Sequence, residues 1–377
     1  MKRTILGLLI CLIVASVTAT LLFAQQPRIS HPTSKFVNGQ PFFFVLPRTG
    51  APTTLEAARI NAATANIPMW SSSFVVGGTS FPFTMIGTNP ASGSATTTVP
   101  VVIIPLRFTF SNGTSLSAGS TVCNDTQTAV QRVQNSPIFQ TITFTPGGTN
   151  VGTTQYEDAF QRANFWNSVS TVSPNYHVLV SVSQVEPVQT ISVPRRSGTT
   201  VAGPCARIGE VDINFFDSKA QGLITSLGIP ATSLPLFVSY NTFETSNRSC
   251  CILGYHSVNS TNHTYAVAAY NDPNIFSAPI QDIHALSHEI GEWMDDPFGN
   301  NPTPAWGNVG QVSGCQNNLE VGDPVTGTAF TVTLNGFTYH PEDLVFLSWF
   351  AHQSPSTAVN HWYTFLNTFS TFAAACP

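Results

Sequence analysis

Charge is scarce in this 377-residue sequence: 9% of residues are Asp, Glu, Lys or Arg, for a formal net charge of −5. No basic cluster occurs, which argues against nucleic acid or an anionic membrane surface as a partner. Long apolar runs are equally rare. Ile5 to Ala24 forms one, behind Met1-Lys2-Arg3-Thr4, and no second follows. A basic start, an apolar middle and a small residue before polar Gln25-Gln26 predict a signal peptide over residues 1–24, cut after Ala24 or Ala19. Left uncut, the run is just long enough to span a bilayer. Cys11 has no small residue before it, so a lipoprotein cleavage site is not expected. Losing Lys2 and Arg3 takes the charge to −7. Cys-x-x-Cys pairs are absent as well, which excludes a cysteine zinc site of that type. Cys123, Cys205, Cys250, Cys251, Cys315 and Cys376 remain, an even number that suggests disulfides in an exported chain. Adjacent Cys250 and Cys251 can pair with different partners or with each other. The expected location is secreted, extracellular or periplasmic, free of the membrane after signal cleavage, and the expected state is a monomer.

Ser, Thr, Asn, Gly and Pro are abundant, as in β-rich extracellular proteins. Residues 25–38 read as a leader, Phe42 to Leu46 as a strand and Leu55 to Ala65 as a short helix. Phe74 to Ile86 reads as strand, and Thr97 to Phe110 as one or two strands broken by Pro100 and Pro105. Residues 25–120 therefore form a β-rich N-terminal region, and 121–377 an α+β region, which may share one domain with the first. In the second region helices are expected at Thr126 to Gln134, Gln155 to Val169 and Ser218 to Leu227, the last ended by Gly228 and Pro230. Strands are expected at Tyr176 to Val188, Val211 to Phe215, Pro235 to Tyr240 and Thr264 to Tyr270. A long loop follows Pro297, Asn335-Gly336 turns a hairpin between Phe330 and Tyr339, and Glu342 to His352 reads as a helix.

Against this low background, residues 282–297 hold two histidines, two glutamates and three aspartates. Ile283, Leu286, Ile290 and Trp293 recur every three or four residues, the period of a helix burying one face, and Pro297 ends it. On that helix His288 and Glu292 lie one turn apart on one side, with Glu289 about 100° further round. The geometry is that of the metalloprotease helix His-Glu-x-x-His with Glu292 in the second ligand position. There two helix residues and one from elsewhere hold zinc, and the glutamate beside the first ligand takes a proton from water. His284 with His288 is a rival pair, but Ala285 stands where the base is needed. The plain alternative is an amphipathic helix with a solvated acidic face.

A third ligand is expected from Leu319-Glu320-Val321-Gly322-Asp323-Pro324, Glu320 by preference and Asp323 second, although Gly-Asp-Pro is also ordinary turn chemistry. His256, just before the strand Thr264 to Tyr270, is a candidate to steady an oxyanion. His263 is expected at the surface, His177 in packing or at an edge, and His340, His352 and His361 in structural roles.

The run His288-Glu289-Ile290-Gly291-Glu292, then Asp296-Pro297, Ala305-Trp306 and Glu320-Val321-Gly322-Asp323, resembles a pattern found in exported bacterial proteins. It is also similar to the C-terminal part of the plant EXORDIUM or phosphate-induced protein family. Leu334-Asn335-Gly336 and Phe346-Leu347-Ser348-Trp349 extend the resemblance, which covers roughly residues 250 to 350. Two features depart from it: the family's cysteine follows Glu-x-Gly-Asp, whereas Cys315 precedes it here, and His284 is extra. The resemblance implies a secreted α+β protein whose C-terminal part is zincin-like, a metal-type helix on a mixed sheet, with His288, Glu292 and Glu320 or Asp323 at the family's polar positions.

The expected function is therefore a zinc-dependent metallopeptidase or related hydrolase acting on peptides or an extracellular polymer. His288, Glu292 and Glu320 or Asp323 would hold the ion, and Glu289 and His256 would do the chemistry. Two carboxylates with one histidine make bound water less acidic than two histidines would, and favour a weaker peptidase or a harder cation such as manganese or calcium. The alternatives are a non-catalytic extracellular or wall-associated binding protein with a structural metal site, and glycoside hydrolysis by paired carboxylates.

Overall fold

A computed structural model of the chain describes residues 67–276 and 279–376. The expected signal peptide, leader, strand at Phe42 to Leu46 and helix at Leu55 to Ala65 lie outside them. In chain order the elements begin with β1 (Met69–Val76), β2 (Thr79–Ile86), β3 (Thr96–Phe110), β4 (Ser115–Ser117), α1 (Ala129–Gln134), β5 (Ile142–Phe144) and β6 (Gly152–Thr154). They continue through α2 (Tyr156–Asn164), α3 (Trp166–Val169), β7 (His177–Val185), β8 (Gln189–Val193), β9 (Gly198–Val201), β10 (Ile208–Asp212) and α4 (Ile213–Ser226). Next come β11 (Leu234–Tyr240), β12 (Thr242–Ser246), β13 (Ser249–Ile252), β14 (Gly254–Val258), β15 (Thr264–Tyr270) and α5 (His284–Asp295). The chain ends with β16 (Pro302–Val309), β17 (Val312–Asn318), β18 (Val332–Leu334), β19 (Phe337–Tyr339) and α6 (Leu347–Phe350). The class is α+β.

The spine is β3, whose 15 residues carry four neighbours. On one side it pairs in parallel first with β7 and then with β8; on the other it pairs in parallel with β11 and antiparallel with β4. Beyond β11 stand parallel β15 and antiparallel β14, completing a mixed seven-stranded sheet. Pro100 and Pro105 do not break the strand. Pro100 stands one rung before the β11 ladder begins and Pro105 on its last rung, places where a missing N–H costs little.

Strands covered on both faces read as continuous apolar runs, and every residue of β11 and β15 is buried. Leu236, Val238, Ala266 and Ala268 point to one face, where they meet Ile283 just before α5, Leu286, Ile290 and Trp293 of α5, and Tyr156, Ala159 and Phe160 of α2. Phe237, Tyr265 and Val267 point to the other, against Phe216, Ala220 and Ile224 of α4. The sheet is thus a layer between helices, and α5 lies along one face of it. No helix among the described residues is long and apolar enough to cross a membrane.

Several elements differ from expectation for identifiable reasons. Phe74 to Ile86 is a hairpin, because Gly77 and Gly78 both take positive φ and close a two-residue turn. The strand expected to end at Phe215 ends at Asp212, whose carboxylate accepts a hydrogen bond from Phe215 N at 2.9 Å and starts α4 early. The loop after Pro297 is partly a hairpin, β16 with β17. Of the helix expected over Glu342 to His352 only the turn α6 forms, since Glu342 is drawn into the interior as extended chain. His263 is buried rather than exposed, its Nε2 2.9 Å from the Ser233 carbonyl oxygen. Three disulfides form: Cys123–Cys205, Cys250–Cys251 and Cys315–Cys376.

Candidate metal centre

All twelve residues of α5 are buried, so the acidic positions face protein and not solvent. Three glycines make room for the helix. A Cβ at Gly254 of β14 would lie 2.6 Å from Glu289 Cγ, one at Gly291 2.6 Å from Leu344 Cδ1, and one at Gly322 2.3 Å from His288 Nδ1. At Gly322 the main chain packs flat against the imidazole, so the Glu320 to Asp323 segment is brought onto the helix.

His288 and Glu292 come together as the helical spacing requires, with Nε2 3.1 Å from Glu292 Oε1. Asp323 Oδ1 lies 3.7 Å from the same nitrogen. Each of these three buried residues offers a donor atom within 4.8 Å of the other two. Glu292 Oε1 is aimed by the N–H groups of Gly322 and Asp323, at 3.2 and 3.3 Å. Asp323 accepts hydrogen bonds from Gln311 and, at 2.7 Å, from Gln316 Nε2. Glu320, the preferred third ligand, does not enter this triad; its Oε1 accepts a hydrogen bond from Asn318 Nδ2 at 2.5 Å. The reason is local: a 3-10 turn starting at Asp323 swings that side chain towards His288 while Glu320 stands before the turn.

Glu342 is a member of the site that sequence reasoning missed. Its Oε2 lies 2.7 Å from His288 Nδ1, its Oε1 accepts from Gly327 N at 3.0 Å, and its own N–H donates to Ser287 Oγ at 2.9 Å. With Glu342 ionised its oxygen accepts, so His288 Nδ1 carries the hydrogen and Nε2 presents its lone pair to Glu292 and Asp323. His284 also turns to Glu342, with Nε2 3.5 Å from Oε2, and so stands behind His288 instead of pairing with it. The available clue is Pro341-Glu342-Asp343, two acids opening an apolar run, a pattern that equally fits the start of a helix.

On the far side of Glu292 lies His256 of β14. Its Nε2 is 2.9 Å from the Asp296 carbonyl oxygen and therefore bears the hydrogen. Nδ1 faces Glu289 Oε2 at 3.4 Å and Glu292 Oε2 at 3.8 Å. The oxyanion role expected for His256 needs a donor, and its N–H is already given to Asp296. Glu289 sits between β14 and the helix, with no hydrogen-bond partner for Oε1 among the described residues; Glu292 Oε2 and Glu320 Oε2 also have none.

Burial dominates the electrostatics. It pushes the Glu292 carboxyl up to about 8 and those of Glu289, Glu320 and Asp323 well above the usual range. Neighbouring carboxylates add to the rise at Glu289 and Glu320. Burial also raises Glu342 to about 7 and Asp296 to about 8, and lowers His256 to about 3. So many buried acids need protons or a cation among them.

Two of the three donor separations can be set against those of a bound cation. Zinc binds N and O at about 2.0–2.2 Å, which puts two ligands of one tetrahedral ion about 3.3–3.6 Å apart. The 3.1 and 3.7 Å separations from His288 Nε2 bracket that range.

No family model matches the chain, and no curated protein does. Among solved structures, the crystal structure of metalloproteinase-II from Bacteroides fragilis is similar at 9% identity, over 67% of this chain and 89% of that one, with a TM-score of 0.18. A likeness that weak carries no argument about fold or activity.

Proposed function

We propose that this protein is an exported metal-dependent hydrolase of zincin-like type, acting on peptides or another extracellular polymer. The observation that carries the reading is the setting of His288: Nδ1 is held by Glu342 and Nε2 is turned to the oxygens of Glu292 and Asp323. With both acids ionised, a lone pair set between them away from water is repulsive, and either protons on the acids or a cation between them relieves the repulsion. His288, Glu292 and Asp323 would hold the ion, and Glu342 would fix the imidazole tautomer, as carboxylates behind ligating histidines do. One nitrogen and two oxygens suit zinc and, because oxygen predominates, manganese or calcium.

When bound, such a cation supplies Lewis acidity, polarising a carbonyl and making water more acidic. Glu289, next to His288 in the chain, has an oxygen without a hydrogen-bond partner among the described residues and would take the water's proton. His256 would hold Glu289 from behind. Three disulfides support an oxidising, extracytoplasmic location.

A second reading is a closed, structural cation site in a non-catalytic extracellular binding protein. Burial favours it, since His256, His288, Glu289, Glu292, Asp323 and Glu342 are between 0 and 5% exposed and a catalytic site keeps one position open.

The test is plasma mass spectrometry of the purified protein beside His288→Ala and Glu289→Gln, with turnover of a quenched peptide library. The hydrolase reading expects metal in the wild type, a sharp loss of it in His288→Ala, and activity abolished in folded Glu289→Gln. Metal without turnover of any peptide or polysaccharide supports the structural site, and a folded wild type without metal overturns both readings.

A further inference from the structure

The His288 triad leaves half of Glu292 unaccounted for. Oε1 faces His288, but Oε2 points the other way, buried and without a hydrogen-bond partner among the described residues. What it faces is a second donor set of the same composition. His256, Glu289 and Glu292 each offer an atom within 4.8 Å of the other two, and all three are wholly buried. The two imidazoles are arranged alike. Each gives one N–H to an oxygen outside the cluster, His288 to Glu342 and His256 to the Asp296 carbonyl, and each turns its other nitrogen to two carboxylates.

The separations match as well. His256 Nδ1 lies 3.4 Å from Glu289 Oε2 and 3.8 Å from Glu292 Oε2, beside 3.1 and 3.7 Å in the first set. Neither pair in the second set is a good hydrogen bond, and both are near the spacing of two ligands on one ion, about 3.3–3.6 Å for zinc. We propose that the centre holds two divalent cations bridged by Glu292, one with His288 and Asp323 and the other with His256 and Glu289.

This rests on the metal-dependent reading above and extends it from one ion to two. Glu292 then explains the departure from His-Glu-x-x-His. A neutral histidine has one nitrogen lone pair to give, whereas a carboxylate can give one oxygen to each ion. Carboxylate-bridged pairs hold their ions about 3.5–4 Å apart and suit Zn²⁺ or Mn²⁺. Glu289 enters the second set through Oε2 and keeps Oε1 for a proton. The fixed positive charge of two ions also offsets a cluster in which Glu289, Glu292, Asp323 and Glu342 are buried together.

The experiment is metal counting by plasma mass spectrometry after equilibration of the chelator-stripped protein with Zn²⁺, for the wild type, His256→Phe and Glu292→Gln. The expected result is two equivalents in the wild type, one in His256→Phe and a loss of both tight sites in Glu292→Gln. One equivalent in both the wild type and folded His256→Phe overturns the pair and leaves the single-ion reading standing; none in the folded wild type overturns both. Should His256→Phe fail to fold, Mn²⁺ electron paramagnetic resonance on the loaded wild type decides. An exchange-coupled spectrum supports the pair, and only an isolated six-line signal overturns it.

Discussion

At Gly322 the backbone has helical, negative φ, so it is not conformation that demands glycine there but the 2.3 Å that would separate a Cβ from the His288 ring. Gly322→Ala is expected to push the Glu320 to Asp323 segment off the helix, costing about 1–3 kcal/mol as overpacking does. Bound metal should fall with it, read by calorimetry and metal analysis on one sample. Glu244 of β12 makes a different point. It is wholly buried, neither oxygen has a hydrogen-bond partner among the described residues, and burial pushes its carboxyl up to about 8. The folded protein thus keeps a proton that the unfolded chain releases near 4.5. Its contribution to stability is whole below about pH 4.5 and is lost as pH rises towards 8, at up to about 1.4 kcal/mol per pH unit. Denaturant titrations of the chelated protein across that window should show a shallower decline for Glu244→Gln, and an unchanged slope would mean that Glu244 ionises freely in the fold.

At the scale of the element, α5 is held by packing on every side. Trp293 is wholly buried against the sheet, and its Nε1 donates to Thr264 Oγ1 of β15 at 3.0 Å. This contact fixes the rotation of the helix about its axis, and hence which side chains reach β14 and which reach the Asp323 turn. Trp293→Ala should cost about 3–5 kcal/mol in unfolding free energy. Metal affinity should fall further than in a core variant of equal cost on the α4 face, such as Phe216→Ala, because Phe216 packs on the opposite side of the sheet. Equal losses of affinity in the two variants would show that the helix is not oriented through Trp293.

At the scale of the molecule, the candidate site draws on parts of the chain far apart in sequence. His256 comes from β14, the helix supplies His288 and Glu292, and Asp323 and Glu342 come from segments beyond the β16–β17 hairpin. Cys315 of that hairpin is tied to Cys376, 61 residues on, and Cys376 N donates to the Ala305 carbonyl oxygen. Closing a loop of that length is worth up to roughly 4 kcal/mol through the unfolded state. Cys315→Ala with Cys376→Ala should lower stability by up to that amount while leaving metal stoichiometry at neutral pH unchanged. A loss of metal in the folded double variant would mean that the tie also shapes the site.

Much was legible in the order of residues because it depends on neighbours a few positions apart. The 3.6-residue period of Ile283, Leu286, Ile290 and Trp293 specified α5, and it placed His288 beside Glu292 and Glu289 to one side. Asn335-Gly336 specified its hairpin, and Pro235 to Tyr240 and Thr264 to Tyr270 read as the strands that become β11 and β15. What tertiary structure decided are the relations between distant segments. Two acids three residues apart gave no means of telling that Asp323 would reach His288 and Glu320 would not, because a single turn of chain sets that difference. Glu342 reads as the start of a helix, and the fold instead carries it under His288. A solvated acidic face is the plain alternative the order of residues leaves open for α5, and the packing of α2, β14 and the C-terminal segments around the helix makes that face a buried cluster. Periodicity is a local property of a chain, whereas the meeting of donor atoms depends on every turn between them.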